Sequence, residues 1–133
     1  MSDSPWLVKM LYCATFDDDK VRLGNGDVIQ GYHMIVFPFL ENGSLLSLIC
    51  NANMMGRSLS LSLKQYLCSM VAKAAAHLYQ VEYTAHSDHK PDNFMITNDY
   101  YLALIDFGQS CLRNTWTALK HGTSIYNPPE VCF

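Results

Sequence analysis

The chain has 133 residues, with 9 Lys or Arg against 12 Asp or Glu and a formal net charge of −3 at pH 7. This balance offers no basic stripe for a phosphate backbone, so we expect no direct nucleic-acid partner. No apolar run approaches the ~20 residues of a membrane-spanning helix, and the N-terminus has neither the basic nor the apolar region of an export signal. We therefore expect no membrane partner.

The five cysteines, at positions 13, 50, 68, 111 and 132, are odd in number, widely scattered and without a Cys-x-x-Cys pair. Such a pattern favours a reduced compartment over a disulfide scaffold. We expect an intracellular protein, in the cytoplasm or the nucleus, and a length sufficient for one domain.

Two strands are predicted in the first third of the chain. Residues 7–16 alternate loosely and are rich in strand formers, and residues 32–39 predict a second, largely buried strand. Between them, residues 17–19 (D-D-D) and 24–27 (G-N-G-D) predict a solvated turn region. Residues 38–43 are predicted to end the second strand, because Pro and Gly interrupt strands and Asn-Gly favours a turn.

The strongest helical pattern covers residues 63–83. Apolar residues at 63, 66, 67, 70, 71, 74, 78 and 81 follow the spacing of one buried helical face. Ser62, with Gln65 three residues later, predicts a capping box at the start of this helix. Residues 94–97 and 100–105 predict a short hairpin that turns at Asn98-Asp99.

Two short motifs carry the chemistry. H-S-D-H-K-P-D-N occupies residues 86–93, and D-F-G occupies residues 106–108, directly after an apolar run. A loop aspartate most often caps a helix or forms a turn, and a single D-F-G would be weak. Both motifs in this order, with Asn93 and Asp106 13 positions apart, supply hard oxygen ligands, a candidate base and a lysine. Phosphoryl transfer needs that set, because a nucleophile must be positioned and triphosphate charge neutralised.

The two motifs resemble the catalytic loop (H-R-D-x-K-x-x-N) and the magnesium loop (D-F-G) of protein kinases. Residues 122–130, G-T-S-I-Y-N-P-P-E, are similar to the G-T-x-x-Y-x-A-P-E stretch that ends a kinase activation segment, with Pro128 in place of Ala. The resemblance implies transfer of phosphate from ATP, with Mg²⁺, to a protein substrate.

The resemblance also implies a role for each polar residue of the motifs. Asp88 is the expected catalytic base, which accepts or orients the proton of a substrate hydroxyl. Lys90 is expected to stabilise the transferring phosphoryl group, and its presence favours a serine/threonine kinase over a tyrosine kinase. Asn93 and Asp106 are the expected Mg²⁺ ligands, since this ion prefers hard oxygens and keeps several waters.

The implied fold class is α+β, as part of a two-lobed kinase fold. Residues 1–37 are expected to be strands of the small lobe, residues 38–43 the hinge, and residues 44–133 the first portion of the mainly helical large lobe. A whole kinase domain is longer than this chain, which has neither a G-x-G-x-x-G loop nor a strand lysine followed by a partner glutamate. We therefore expect the 133-residue chain by itself to be inactive.

Three residues are expected to bind the nucleotide base. In the hinge, the carbonyl of Pro38 would accept from the adenine amine and the backbone N–H of Leu40 would donate to the ring. Met95 would pack below the purine. For Met95, ordinary core packing explains the residue equally well.

Residues 90–94 (K-P-D-N-F), 102–106 (L-A-L-I-D) and 108–110 (G-Q-S) are similar to the spindle-checkpoint kinases of the Bub family. This closer resemblance implies checkpoint or kinetochore proteins as partners and the kinetochore as a location. Ser87 stands where kinases carry the Arg that pairs with an activation-loop phosphate. Activity is therefore expected not to depend on phosphorylation of Thr115 or Thr117.

Two alternatives remain beside an active kinase. A truncated pseudokinase would act as a non-catalytic checkpoint binding module. A small-molecule phosphotransferase would share the H-x-D-x-x-x-x-N and I-D-F-G patterns, but Lys90 and the residues around Gly122 and Pro129 argue against that class.

Overall fold

A computed structural model describes residues 4–112, 122–127 and 129. The chain divides into two units, a hairpin unit of Val8–Phe39 and a main unit formed by the residues up to Leu7 and from Leu40 onward. Both helices and strands occur, which confirms the predicted α+β class. Among the described residues, no helix is long and apolar enough to cross a membrane.

The hairpin unit contains strands β1 (Tyr12–Arg22) and β2 (Val28–Val36), paired antiparallel. The strands turn through the segment between Leu23 and Asp27, where the Leu23 amide donates to the Asp27 carbonyl over 2.8 Å. The glycine-rich turn prediction at residues 24–27 is thus confirmed. In the described part of the chain, β1 and β2 form a two-stranded sheet by themselves.

Two predictions for this hairpin are wrong. The three aspartates at 17–19 lie inside β1 and not in a turn, because the register shifts between Phe16 and Lys20 and these residues bulge opposite Gly31. Gly31 has a φ of 68°, which a side chain would strain. The second strand was expected to be largely buried, yet all its residues except Tyr32 are exposed, since a two-stranded sheet covers neither face.

The main unit contains two helices, and serine caps begin both. Helix α1 (Leu45–Met54) starts at Ser44, and helix α2 (Leu61–Gln80) starts at Ser60, whose Oγ accepts from the Leu63 amide over 3.2 Å. The predicted capping box at Ser62 and Gln65 is therefore wrong. Ser60 has a non-helical backbone, with φ −59° and ψ 154°, as a cap requires, whereas Ser62 already lies in the first helical turn.

The core of the main unit lies between α2 and a short hairpin. Strands β4 (Phe94–Ile96) and β5 (Leu102–Leu104) pair antiparallel, which confirms the predicted hairpin. The face predicted for the long helix is confirmed at its centre, although positions 66 and 81 are exposed. The buried residues that form the core are Leu7, Leu45, Leu67, Met70, Ala74, Leu78, Phe94, Leu102 and Leu104.

A second strand pair joins the two motif loops. Strand β3 (Thr84–Ala85), just before the first motif, pairs antiparallel with β6 (Cys111–Leu112), just after the second. The start of the first motif loop and the end of the second therefore lie at the same pair of strands. This pairing places the two chemical motifs side by side.

Candidate active site

His86 anchors the first motif loop through two hydrogen bonds of its imidazole ring. Its side chain is fully buried, and Nδ1 accepts a hydrogen bond from the Asp88 amide over 3.3 Å. Because Nδ1 is an acceptor, Nε2 carries the proton and donates to the Ile105 carbonyl over 2.9 Å. The edge of Phe107 packs against the imidazole at 5.3 Å between ring centroids. His86 and Phe107 thus pack against each other where the two motif loops meet.

Asp88 is the buried centre of a polar network. Its exposed fraction is only 3%, and the carboxylate is bound on both oxygens. Oδ2 pairs with Lys90 Nζ at 2.8 Å, and Oδ1 accepts from the hydroxyl of Thr123 at 2.9 Å. Lys90 Nζ also donates to the Thr123 hydroxyl at 3.0 Å. The three side chains close a triangle of charge-assisted hydrogen bonds.

The network sets the protonation states of both charged groups. Burial raises the pKa of Asp88, but the hydrogen bonds from Lys90, Thr123 and Asn93 and the positive charge of Lys90 outweigh it, so the net pKa is lowered. The hydrogen bond to Asp88 raises the pKa of Lys90 against a smaller effect of desolvation. The pair is therefore a carboxylate and an ammonium at neutral pH.

Asn93 is held in one orientation by the same loop. It ends the 3₁₀ turn Pro91–Asn93, and its Nδ2 donates to the Asp88 carbonyl over 2.9 Å and to Asp88 Oδ2 over 3.2 Å. Both bonds use the nitrogen, so the oxygen Oδ1 remains as the atom that a hard cation prefers. The side chain is buried, with an exposed fraction of 5%.

Asp106 comes from the second loop and is bonded differently. Its backbone is left-handed, with φ 61° and ψ 72°, and its Oδ1 accepts from the Gly108 amide at 3.4 Å. The carboxylate is exposed. The two loops are joined beside it, because the amide of Ile105 donates to the Asn93 carbonyl over 2.9 Å.

Among the candidate residues, the structure brings Asp88, Lys90 and Asn93 into direct contact. Asp106 does not share their hydrogen bonds, but its negative charge contributes to the raised pKa of Lys90. The main contact missed by the sequence is Thr123. Its position in the G-T pair of the third motif was the available signal, but the distance of 35 residues from Asp88 hides the contact.

Comparison with known proteins gives the family. The protein kinase domain matches residues 5–132 of the chain. The chain belongs to the protein kinase family. Among its relatives are the serine/threonine-protein kinase cds1 of Schizosaccharomyces pombe, 37% identical over 73% of the chain, and the serine/threonine-protein kinase CBK1 of Yarrowia lipolytica, 28% identical over 92%. Citron rho-interacting kinase of Rattus norvegicus is 29% identical over 98%.

This kinase chain spans only a small part of those relatives, 21%, 19% and 6% of their lengths respectively. The chain has the mixed helix and strand content of a partial kinase domain. The proposed boundaries of the lobes, at residues 37 and 43, stay predictions. The two compact units divide between Phe39 and Leu40, and Trp6 belongs with the main unit, where its carbonyl accepts from Leu104.

The residues expected to bind the base lie at different places in the kinase chain. Pro38 is exposed in the hairpin unit, whereas Leu40 begins the second part of the main unit and its carbonyl accepts from the Gly43 amide at 3.4 Å. Met95 is half-buried in β4, opposite Ala103, with a bridge to Ser44. Their role in binding adenine stays a prediction.

The donor set of the kinase loops fits Mg²⁺. Among the described residues, no group of three His, Cys, Asp or Glu side chains is placed to hold a metal ion. Asn93 Oδ1 and the Asp106 carboxylate are an amide oxygen and a carboxylate on two joined loops. Such a pair suits an ion that keeps several waters and binds phosphates at the same time.

Several predictions about the activation segment lie outside the described residues. These are the expectation for phosphorylation of Thr115 and Thr117, and the resemblance of Pro128 and Glu130 to the end of a kinase activation segment. Within the described part, Gly122 and Thr123 dock on the first loop, and residues 124–126 form a 3₁₀ turn.

Proposed function

We propose that the protein containing this chain is a serine/threonine protein kinase, which transfers the γ-phosphate of Mg-ATP to a Ser or Thr hydroxyl of a protein substrate. The observation that carries the proposal is the hydrogen-bonded triangle of the buried Asp88 with the half-buried Lys90 and Thr123, with Asn93 fixed beside it. The similarity to serine/threonine-protein kinases supports the same reaction.

In the proposed reaction, Asp88 receives the proton of the substrate hydroxyl. The hydroxyl oxygen forms a bond to the γ-phosphorus, and the bond from that phosphorus to the ADP oxygen breaks. The lowered pKa of Asp88 keeps the carboxylate ionised, so it is ready to accept or orient this proton. The side chain is held on both oxygens, which fixes the direction in which a hydroxyl must approach.

Lys90 supplies positive charge where the phosphoryl group moves. Its raised pKa keeps the ammonium charged at neutral pH, and its partner Thr123 holds it beside Asp88. A preorganised cation at this place stabilises developing negative charge without reorganisation. Lys90 is also the residue that favours Ser and Thr over Tyr as the acceptor.

Asn93 and Asp106 would hold Mg²⁺, which supplies charge neutralisation of the nucleotide phosphates when bound. The chain fixes Asn93 through its two Nδ2 hydrogen bonds, so the amide oxygen is preoriented. Asp106 contributes a full negative charge from the second loop.

We expect Asp106→Ala to lower kcat by about 10²–10³-fold in the full-length protein, the usual cost of losing one transition-state electrostatic contact. Phosphate incorporation from ATP into a Ser/Thr peptide is the measurement. Asp99→Asn is the matched control, because Asp99 is also an exposed loop carboxylate but lies in the β4–β5 turn. An Asp106→Ala protein with parental kcat would show that the assignment is wrong.

The finer proposal is a role in spindle-checkpoint signalling, with checkpoint or kinetochore proteins as partners. It rests on the similarity of residues 90–94, 102–106 and 108–110 to the Bub family. We expect the tagged full-length protein to concentrate at kinetochores in mitotic cells. A uniform signal in mitosis would contradict this role while leaving the kinase assignment unchanged.

A further inference from the structure

Gln109 joins the second motif loop to the third motif, the G-T-S-I-Y-N-P-P-E stretch at residues 122–130. It ends the 3₁₀ turn Phe107–Gln109, and its side-chain oxygen Oε1 accepts a short hydrogen bond from the backbone amide of Gly122. The two residues are 13 positions apart in sequence. The contact therefore fixes a distant segment against the loop that carries Asp106.

Gly122 is packed tightly where it meets the first loop. Its φ of 87° is left-handed, and a Cβ at this position would lie 2.6 Å from the Ser87 carbonyl and 2.3 Å from Asn127 Oδ1. A side chain is thus excluded by strain and by space. Because Thr123 directly follows Gly122, the position of Gly122 restricts the position of the Thr123 backbone.

The contact of Gly122 with the two motif loops involves uncharged groups, and residue 87 does not supply a cation there. Ser87 is uncharged, and its Oγ lies 3.6 Å from the Sγ of Cys111. The Thr123 hydroxyl that completes the triangle must be placed within hydrogen-bond distance of both Asp88 and Lys90. The Gln109 contact is one residue away from that hydroxyl and restricts its backbone.

We propose that Gln109 is a positioning residue that holds Gly122, and through it the Thr123 hydroxyl, on the Asp88–Lys90 pair. The proposal deepens the proposed kinase function and rests on it for its catalytic consequence. The structural part of the proposal, that Gln109 holds Gly122 in place, can be tested without measuring catalysis. Two measurements separate these parts.

The first measurement is amide hydrogen exchange of Gly122 by NMR in the 133-residue chain. Gln109→Met keeps the length of the side chain and removes the acceptor, so exchange at Gly122 should become about fivefold faster, the weight of one neutral hydrogen bond. Gln109→Glu keeps an acceptor oxygen and should preserve the parental rate. Equal exchange rates in parent and Gln109→Met would overturn the proposal.

The second measurement is a double-mutant cycle on kcat in the full-length protein. Gln109→Met should lower kcat about fivefold with little change in the KM for ATP, and Gln109→Glu should restore it. In a Thr123→Val background, which removes the hydroxyl, Gln109→Met should have no further effect. The same fivefold loss in both backgrounds would overturn the positioning role. An inactive parent would refute the kinase function instead, while the exchange experiment still decides the docking.

Discussion

At the scale of single residues, Asp88 makes a testable link between pKa and stability. Its pKa is lowered from the ordinary value of 3.8. A depressed folded-state pKa contributes stability that is fully present above the unfolded pKa and lost as pH falls through the folded one. The difference in unfolding free energy between the parent and Asp88→Asn should therefore stay constant from about pH 8 to pH 5 and shrink below about pH 4.

Chemical denaturation of the two proteins across this pH range measures the difference. Lys90→Met is the control, since it removes the charged partner of the carboxylate. In that background, the pH dependence of the Asp88→Asn difference should be reduced. An unchanged profile without Lys90 would contradict the cause assigned to the lowered pKa.

The sequence predicts which residues meet at the site better than it predicts how they meet. The spacing of the motifs was sufficient to group Asp88, Lys90 and Asn93. The hydrogen bond from Thr123 depends on a left-handed φ of 66° at Ser87 and on the close approach of Gly122, both set by tertiary packing. Periodicity and motif spacing contain no information on these backbone angles.

At the scale of elements, the start of α2 shows where local patterns fail. The residues around the start of the helix, S-L-S-L-S at 58–62, offer three serines as caps. The side chain of Ser60 caps Leu63, whereas Ser62 was the sequence-based choice. Only the backbone conformation distinguishes Ser60 from Ser62, because an N-cap residue is non-helical while the residues that follow it are helical.

We expect Ser60→Ala to destabilise the chain by about 1 kcal/mol, the usual cost of removing an N-cap hydroxyl. Ser62→Ala is the matched control, and it should change the free energy of unfolding by less than about 0.5 kcal/mol, as exposed substitutions away from such features do. Urea denaturation of the three proteins measures both values. Equal effects, or a larger effect at Ser62, would move the cap back to the predicted position.

The hairpin unit shows a second limit at this scale. Three aspartates in a row are ordinarily a turn signal, yet the chain accommodates them in β1 by a bulge opposite Gly31. The bulge depends on a glycine 12 or more residues further along, so no local window of β1 contains it. Turn chemistry at Gly24 and Gly26 was predictable, since it is encoded in adjacent residues.

At the scale of the whole chain, α2 has one face in the core and another along an open groove. A cavity of about 450 Å³ lies between α1 and α2 and is almost entirely apolar, with Leu45, Ile49, Leu67 and Val71 among its lining residues. Its lining also includes His89, which stands between Asp88 and Lys90 in the first motif loop. Leu45 and Leu67 also belong to the buried core, whereas Ile49 and Val71 are only half-buried. The part of the lining that keeps contact with water adds less to stability than full burial would.

The affinity of the 133-residue chain for Mg-ATP is also set at this scale. In the chain given, the groups with a predicted role toward Mg-ATP are the backbone of Pro38 and Leu40, the side chain of Met95, and the ligands Asn93 and Asp106. The sequence contains neither a G-x-G-x-x-G loop nor a strand lysine with a partner glutamate, which in kinases cover and pair the phosphates. We therefore expect the 133-residue chain to bind Mg-ATP very weakly and to show no measurable kinase activity.

Calorimetric titration of the chain with Mg-ATP, beside the full-length protein, tests this expectation. The full-length protein should bind in the micromolar range typical of enzyme substrates, whereas the chain should show no saturable heat at those concentrations. Asp106→Ala should weaken binding to the full-length protein if the carboxylate holds the metal. A low-micromolar dissociation constant for the 133-residue chain would contradict this account, because it would mean that the two motif loops and the hinge backbone suffice to hold the nucleotide.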